Sequence, residues 1–204
     1  MTDLPQTYLI SPPEPGEGFA DDLARILDGT EVACVRLDLA TRDEGRVVRM
    51  ADAAREVCHA RDVACVLTDH AALAARLGLD GVHWRGPAAQ VRKLRSDLGA
   101  DAIVGAFCGT SRHDGMTAGE LGADYVSFGP VGSTALGTGE RAERDLFAWW
   151  SETIEVPVVA EGTMDEATIR ALAPVADWFA LGEEIWRTDD QLAVLRTLQA
   201  AMMG

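Results

Sequence analysis

Residues able to do chemistry recur at the ends of short apolar runs. In chain order they are Ser11; Arg36 and Asp38; Thr68, Asp69 and His70; His83 and Arg85; and Cys108. The series continues with the stretch GPVGST (129–134), then Glu161-Gly162-Thr163, and finally Gly182-Glu183-Glu184. Two chemistries suit these types. Arg36, His83, Arg85 and the hydroxyls of Ser133 and Thr134 are suited to a phosphate or another small anion, and Gly162 lets backbone N–H groups approach it closely. Asp38, Asp69, Glu161 and Glu183 are suited to a divalent cation, which takes oxygen ligands. No residue is singled out as catalytic. Each candidate also has a structural role open to it. Asp69 can cap a helix, His83 can be a packed hydrogen-bonded ring, Glu183 and Glu184 can charge a first helical turn, and Ser133-Thr134 can form a turn.

The four cysteines, Cys34, Cys58, Cys65 and Cys108, form no C-x-x-C pair, which argues against a zinc or iron–sulfur centre. They read as buried small hydrophobes, with a reactive thiol at Cys108 as the alternative. His59, His70 and His113 have no metal-ligand spacing. Against 33 acidic residues the chain sets 18 Lys and Arg, a net charge of −15, which argues against nucleic-acid and anionic-membrane partners. No apolar run approaches the roughly 18–20 residues of a membrane span, and no secretory signal opens the chain. A cytoplasmic protein is expected.

The elements that must position these residues are eight short runs: TYLIS (7–11), VACVRLDL (32–39), ACVLTD (64–69), GVHW (81–84), AIVGAF (102–107), DYVSFGP (124–130), PVVAEG (157–162) and WFALG (178–182). They are continuous rather than alternating, as strands buried on both faces of a parallel sheet must be. Helical spacing fills most of the gaps: Val47, Met50, Ala51, Ala54 and Val57 lie on one face, and further helices are expected over 69–77, 87–98, 116–121, 145–154, 164–172 and 189–203. Eight strands alternating with helices in one chain predict an α/β fold, a single (β/α)8 TIM barrel over 1–204. A doubly wound sheet is the competitor, but no G-x-G-x-x-G follows the first strand. In a TIM barrel the residues named above share one mouth.

Ala123-Asp124-Tyr125-Val126-Ser127-Phe128-Gly129-Pro130-Val131 resembles the "ADYVGFGPVF" segment of the thiamine phosphate synthase and TenI (thiazole tautomerase) family. Tyr8-Leu9-Ile10 is similar to that family's "YLVT" and Leu67-Thr68-Asp69 to its "IND". The stretch from Leu77 to His83 resembles "LGADGVHLGQ", and the stretch from Val156 to Gly162 resembles "IPVVAIGG". Order and spacing hold from about residue 7 to about 186.

The resemblance implies a TIM barrel that joins hydroxymethylpyrimidine pyrophosphate to thiazole phosphate with Mg²⁺. It implies Asp69 as a metal ligand, and Arg36, His83, Arg85, Ser133, Thr134, Gly162 and Glu183 around a phosphate-bearing small molecule. A homodimer is a further expectation. The chain departs from the family pattern at several points. Arg36, Asp38 and Ala40 replace Gln-x-Arg-x-Lys, Thr68 replaces the Asn of "IND", and Ala88 stands near the family's second metal-associated Asp. Gly137 stands near a Lys, Pro130 where the tautomerase has a His, Glu161 and Thr163 flank Gly162, and Glu183 replaces a Ser. These changes place Asp38, Glu161 and Glu183 where relatives receive phosphate. Two functions therefore stand side by side: a synthase of this type, and a catalytically inactive member acting as a ligand- or partner-binding barrel.

Overall fold

The computed structural model describes residues 4–41, 43–132 and 139–204. Ser133 and Thr134 lie outside the described residues. Eight parallel strands close into a barrel: β1 (Gln6–Ile10), β2 (Cys34–Leu37), β3 (Ala64–Thr68), β4 (Gly81–Trp84), β5 (Ile103–Phe107), β6 (Tyr125–Phe128), β7 (Val158–Glu161) and β8 (Trp178–Leu181). Each pairs with its neighbour in sequence, and β8 pairs with β1. The helices are α1 (Phe19–Gly29), α2 (Glu44–His59), α3 (Ala71–Leu77), α4 (Val91–Leu98), α5 (Arg112–Glu120), α6 (Arg144–Thr153), α7 (Glu166–Leu172), α8 (Glu183–Trp186) and α9 (Gln191–Met202). The fold is the single (β/α)8 barrel expected from the sequence. Among the described residues no helix is long and apolar enough to cross a membrane.

Alternation along each strand divides two cores. Leu9, Val35, Leu67, Val82, Val104, Val126, Val158 and Phe179 face the helices, where they join Leu23, Ile26, Phe147, Trp150 and Ile169. Tyr8, Cys34, Val66, Tyr125, Val159 and Ala180 fill the barrel interior. Two residues further along, on the same inward face, stand Arg36, Thr68, Ser127 and Glu161, all buried. The interior is thus apolar and aromatic in the middle and polar beneath the C-terminal mouth.

Helix α1 was not among the helices expected from the sequence, and it follows the Pro/Gly-rich stretch 12–18. Phe19, Leu23 and Ile26, at i, i+4 and i+7, bury its inner stripe. Asp43, Ser111, Asp165 and Asp190 accept from the third following N–H and cap α2, α5, α7 and α9. Helix α3 differs. His70 holds its N-cap position without a side-chain bond, and Asp69 turns its carboxylate elsewhere. Gly78, in the left-handed region at φ 68°, ends α3 as expected.

Gly81 marks the tightest approach of β4 to β5, since a Cβ there would sit 1.9 Å from the Ile103 carbonyl oxygen. Backbone cannot give way as a flexible side chain can. Gly81→Ala is expected to lower stability by about 1–3 kcal/mol in urea unfolding. Gly16→Ala, with nothing within 4 Å of the added methyl, should stay within about 0.5 kcal/mol of the parent.

Candidate functional site: the C-terminal mouth of the barrel

Arg36 on β2 and Glu161 on β7 meet across the interior. Nη1 donates to Oε2 at 3.0 Å and Nη2 to Oε1 at 2.6 Å, with both side chains 1% exposed. Either charge alone would be prohibitive in an otherwise apolar strand; together they form a planar, two-bonded pair. Burial pushes the Glu161 carboxyl up, but the Arg36 guanidinium and its hydrogen bonds override it and hold it at about 2. Burial likewise pulls Arg36 down, and Glu161 more than restores it. The negative charge expected to confront phosphate at Glu161 is therefore already matched from within the barrel.

His83, on β4, lies beside this pair and is fully buried. Its Nδ1 is 2.9 Å from the Tyr125 hydroxyl, which is 2.6 Å from the Tyr8 hydroxyl. Its Nε2 stands 3.7 Å from Glu161 Oε2. Burial drives the His83 pKa well below its ordinary value; Arg36 and Arg85 act in the same direction and Glu161 opposes them. The ring is neutral. Nδ1 shares a hydrogen bond with the Tyr125 hydroxyl, and the buried Nε2 has no hydrogen-bond partner among the described residues. Burial also raises both phenols well above 10, so they stay protonated.

Above this floor, Arg85 follows β4 and gathers two carboxylates. The Arg85 main-chain N–H donates to Asp69 Oδ1 at 2.8 Å and its Nε to Asp69 Oδ2 at 3.0 Å. Its Nη1 donates to Asp38 Oδ2 at 3.2 Å, and Arg36 Nη2 is 3.6 Å from that same oxygen. The Asp38 N–H donates to Ser11 Oγ. Asp69 itself sits at φ 63°, a left-handed conformation that Asp tolerates better than most residues, and this turns its carboxylate toward Arg85. Arg85 also lines a cavity of about 530 Å³ together with Gly86, Pro87, Phe107, Cys108 and His113. Cys108 is buried, and burial with nearby Asp114 pushes its thiol to about 12, so it is not thiolate at neutral pH.

The loops after β6 and β7 pack backbone against backbone. A Cβ at Gly132 would lie 1.8 Å from the Thr163 carbonyl oxygen, and one at Gly162, itself at φ 130°, would lie 2.9 Å from the Val131 nitrogen. Glu183 opens α8, is exposed, and pairs with Arg187 one turn on. Glu184 is the more telling residue. Burial raises its carboxyl pKa against the pull of the Glu184, Gly182 and Met164 N–H groups, and its Oε1 is buried without a partner.

The structure brings Arg36 and His83 together in the floor, Arg85 and Asp69 at the rim, and Gly162 and Glu183 on the adjoining loops. Tyr8, Tyr125 and the pairing of Arg36 with Glu161 were missed from the sequence. The signal was there in part, since a lone Arg and a lone Glu in buried strands call for one another. The residues near Asp69 do not fit Mg²⁺ as they are arranged. Both Asp69 oxygens and the Asp38 carboxylate are taken by Arg85, and among the described residues no three His, Cys, Asp or Glu groups gather around a metal-sized space.

The family described as thiamine monophosphate synthase matches residues 7–185 of this chain. The chain belongs to the thiamine-phosphate synthase family. A thiamine-phosphate synthase of Rhodospirillum centenum is 43% identical over 192 residues, 91% of each chain. That of Erythrobacter litoralis is 36% identical over 200 residues, 95% of this chain and 94% of its own. The thiamine phosphate pyrophosphorylase structure from Pyrococcus furiosus superposes with a TM-score of 0.83 over 98% of this chain and 97% of that one, at 18% identity, so it shares the fold.

Removing one partner strands a buried charge. Arg36→Met is expected to cost about 3–5 kcal/mol, whereas Arg36→Met with Glu161→Met should recover most of that loss in chemical unfolding. Because folding depresses Glu161 from its ordinary 4.5 to about 2, its stabilisation is complete above pH 4.5 and lost as the pH falls toward 2. The double variant should lack that acid-dependent component.

Proposed function

We propose that this chain joins hydroxymethylpyrimidine pyrophosphate to thiazole phosphate, the reaction that the names of its relatives and its own motifs imply. The observation that carries the proposal is the 43% identity to a thiamine-phosphate synthase over 91% of both chains. The thiazole nitrogen forms a bond to the pyrimidine methylene carbon while the bond from that carbon to the pyrophosphate oxygen breaks, and the electron pair leaves with pyrophosphate. Such a step needs a shaped, water-poor floor and positive charge near the leaving group.

In this reading the buried His83, Arg36 and Glu161 shape the floor, and Arg85 offers charge at the rim. Gly162 lets the loop backbone approach a phosphate. Mg²⁺ in relatives would supply further positive charge to the leaving group, and no step here is routed through it. A second reading, a catalytically inactive family member that binds a ligand or partner, is favoured by one observation: the Arg36 charge is matched to Glu161 rather than left for a ligand.

Incubating the purified chain with the two precursors, with and without Mg²⁺, should yield thiamine phosphate and pyrophosphate. The R. centenum relative serves as a positive control. No product under conditions where that control turns over would overturn the synthase reading. A thermal shift with thiazole phosphate or pyrophosphate in that case would support the ligand-binding barrel.

A further inference from the structure

We propose that Arg85 is the resident cation of the mouth, standing between Asp38 and Asp69 in the place a divalent ion would need. Three contacts tie it to Asp69: the main-chain N–H to Oδ1 at 2.8 Å, Nε to Oδ2 at 3.0 Å, and Nη2 to Oδ2 at 3.0 Å. Nη1 reaches Asp38 at 3.2 Å on the other side. A magnesium ion demands near-octahedral oxygen at about 2.0–2.1 Å and would have to strip these carboxylates of their guanidinium. The left-handed backbone of Asp69 is built toward the Arg85 contacts, since its carboxylate bonds Arg85 in place of capping α3. This charge is carried by the chain itself, where a metal's would depend on loading.

The same side chain lines the cavity of about 530 Å³ beside β4 and β5, so guanidinium hydrogens not spent on the carboxylates are available to a ligand oxygen there. Arg36 cannot take over this task, because its guanidinium is sealed against Glu161 in the interior. Asp114 also lines the cavity, and the chemical class that Arg85 would recognise there is a small phosphoryl or diphosphoryl group. Its role as a leaving group rests on the function proposed above; the exclusion of a metal from Asp69 does not.

The test uses Mn²⁺ as the metal probe and inorganic pyrophosphate as the anion probe on the purified chain. In the parent protein, Mn²⁺ should produce no saturable paramagnetic broadening of resonances around Asp69. Arg85→Gln, which frees both carboxylates, should acquire one such site, and Arg85→Lys, which keeps a cation, should not. Calorimetry should show parent pyrophosphate affinity changing less than about twofold between EDTA and Mg²⁺. In EDTA, Arg85→Gln should lose about tenfold or more, the scale of one charge-assisted hydrogen bond. Saturable Mn²⁺ binding at Asp69 in the parent, or none in Arg85→Gln, would overturn the assignment. So would parent pyrophosphate binding that requires Mg²⁺ or is absent altogether. Failure to form thiamine phosphate, with these results intact, would count against the proposed function alone.

Discussion

The ion pair between Arg36 and Glu161 spans the barrel interior from β2 to β7, strands that are not neighbours in the sheet. Each charge by itself would carry a desolvation penalty of several kcal/mol, so neither residue is tolerable without the other. Their two-point contact keeps Glu161 ionised beside the neutral His83 ring. His83 is hydrogen-bonded to the Tyr125 hydroxyl, and that hydroxyl to Tyr8. Asp38, within 3.6 Å of Arg36, links the interior to the rim. The buried pair thus sits at the centre of the polar floor, beside His83 and the two joined phenols.

The rim follows a different rule, because water reaches it. Arg85 and its two carboxylates are partly exposed, and solvent weakens each contact individually. Their position is held instead by covalent geometry: Arg85 leaves the end of β4, and Asp69 is turned toward it by a left-handed backbone. Gly132 after β6 and Gly162 after β7 lie against backbone that leaves no room for a side chain. Close-packed backbone and charged groups meet at this mouth, and they arise from separate causes.

Much of the fold was legible in the sequence. The eight apolar runs correspond to the eight strands with ends shifted by one or two residues, because a strand covered on both faces needs an unbroken apolar stretch. Helix α1 escaped notice since its stripe of Phe19, Leu23 and Ile26 follows directly on a Pro/Gly-rich loop. Candidate site residues were legible by type but not by partner. Glu161 read as a charge facing the ligand and proved to face Arg36. Asp69 read as a metal ligand or a helix cap, and its carboxylate is bonded to Arg85.

By itself the sequence determined the class of fold, the family, and which residues would collect at one end of the barrel, because hydrophobic periodicity and chain order act locally. Only the tertiary structure decided which charges cancel. Arg36 and Glu161 are 125 positions apart, and Arg85 and Asp38 are 47 apart. An electrostatic energy depends on distance through space and on burial, and neither quantity is written into spacing along the chain.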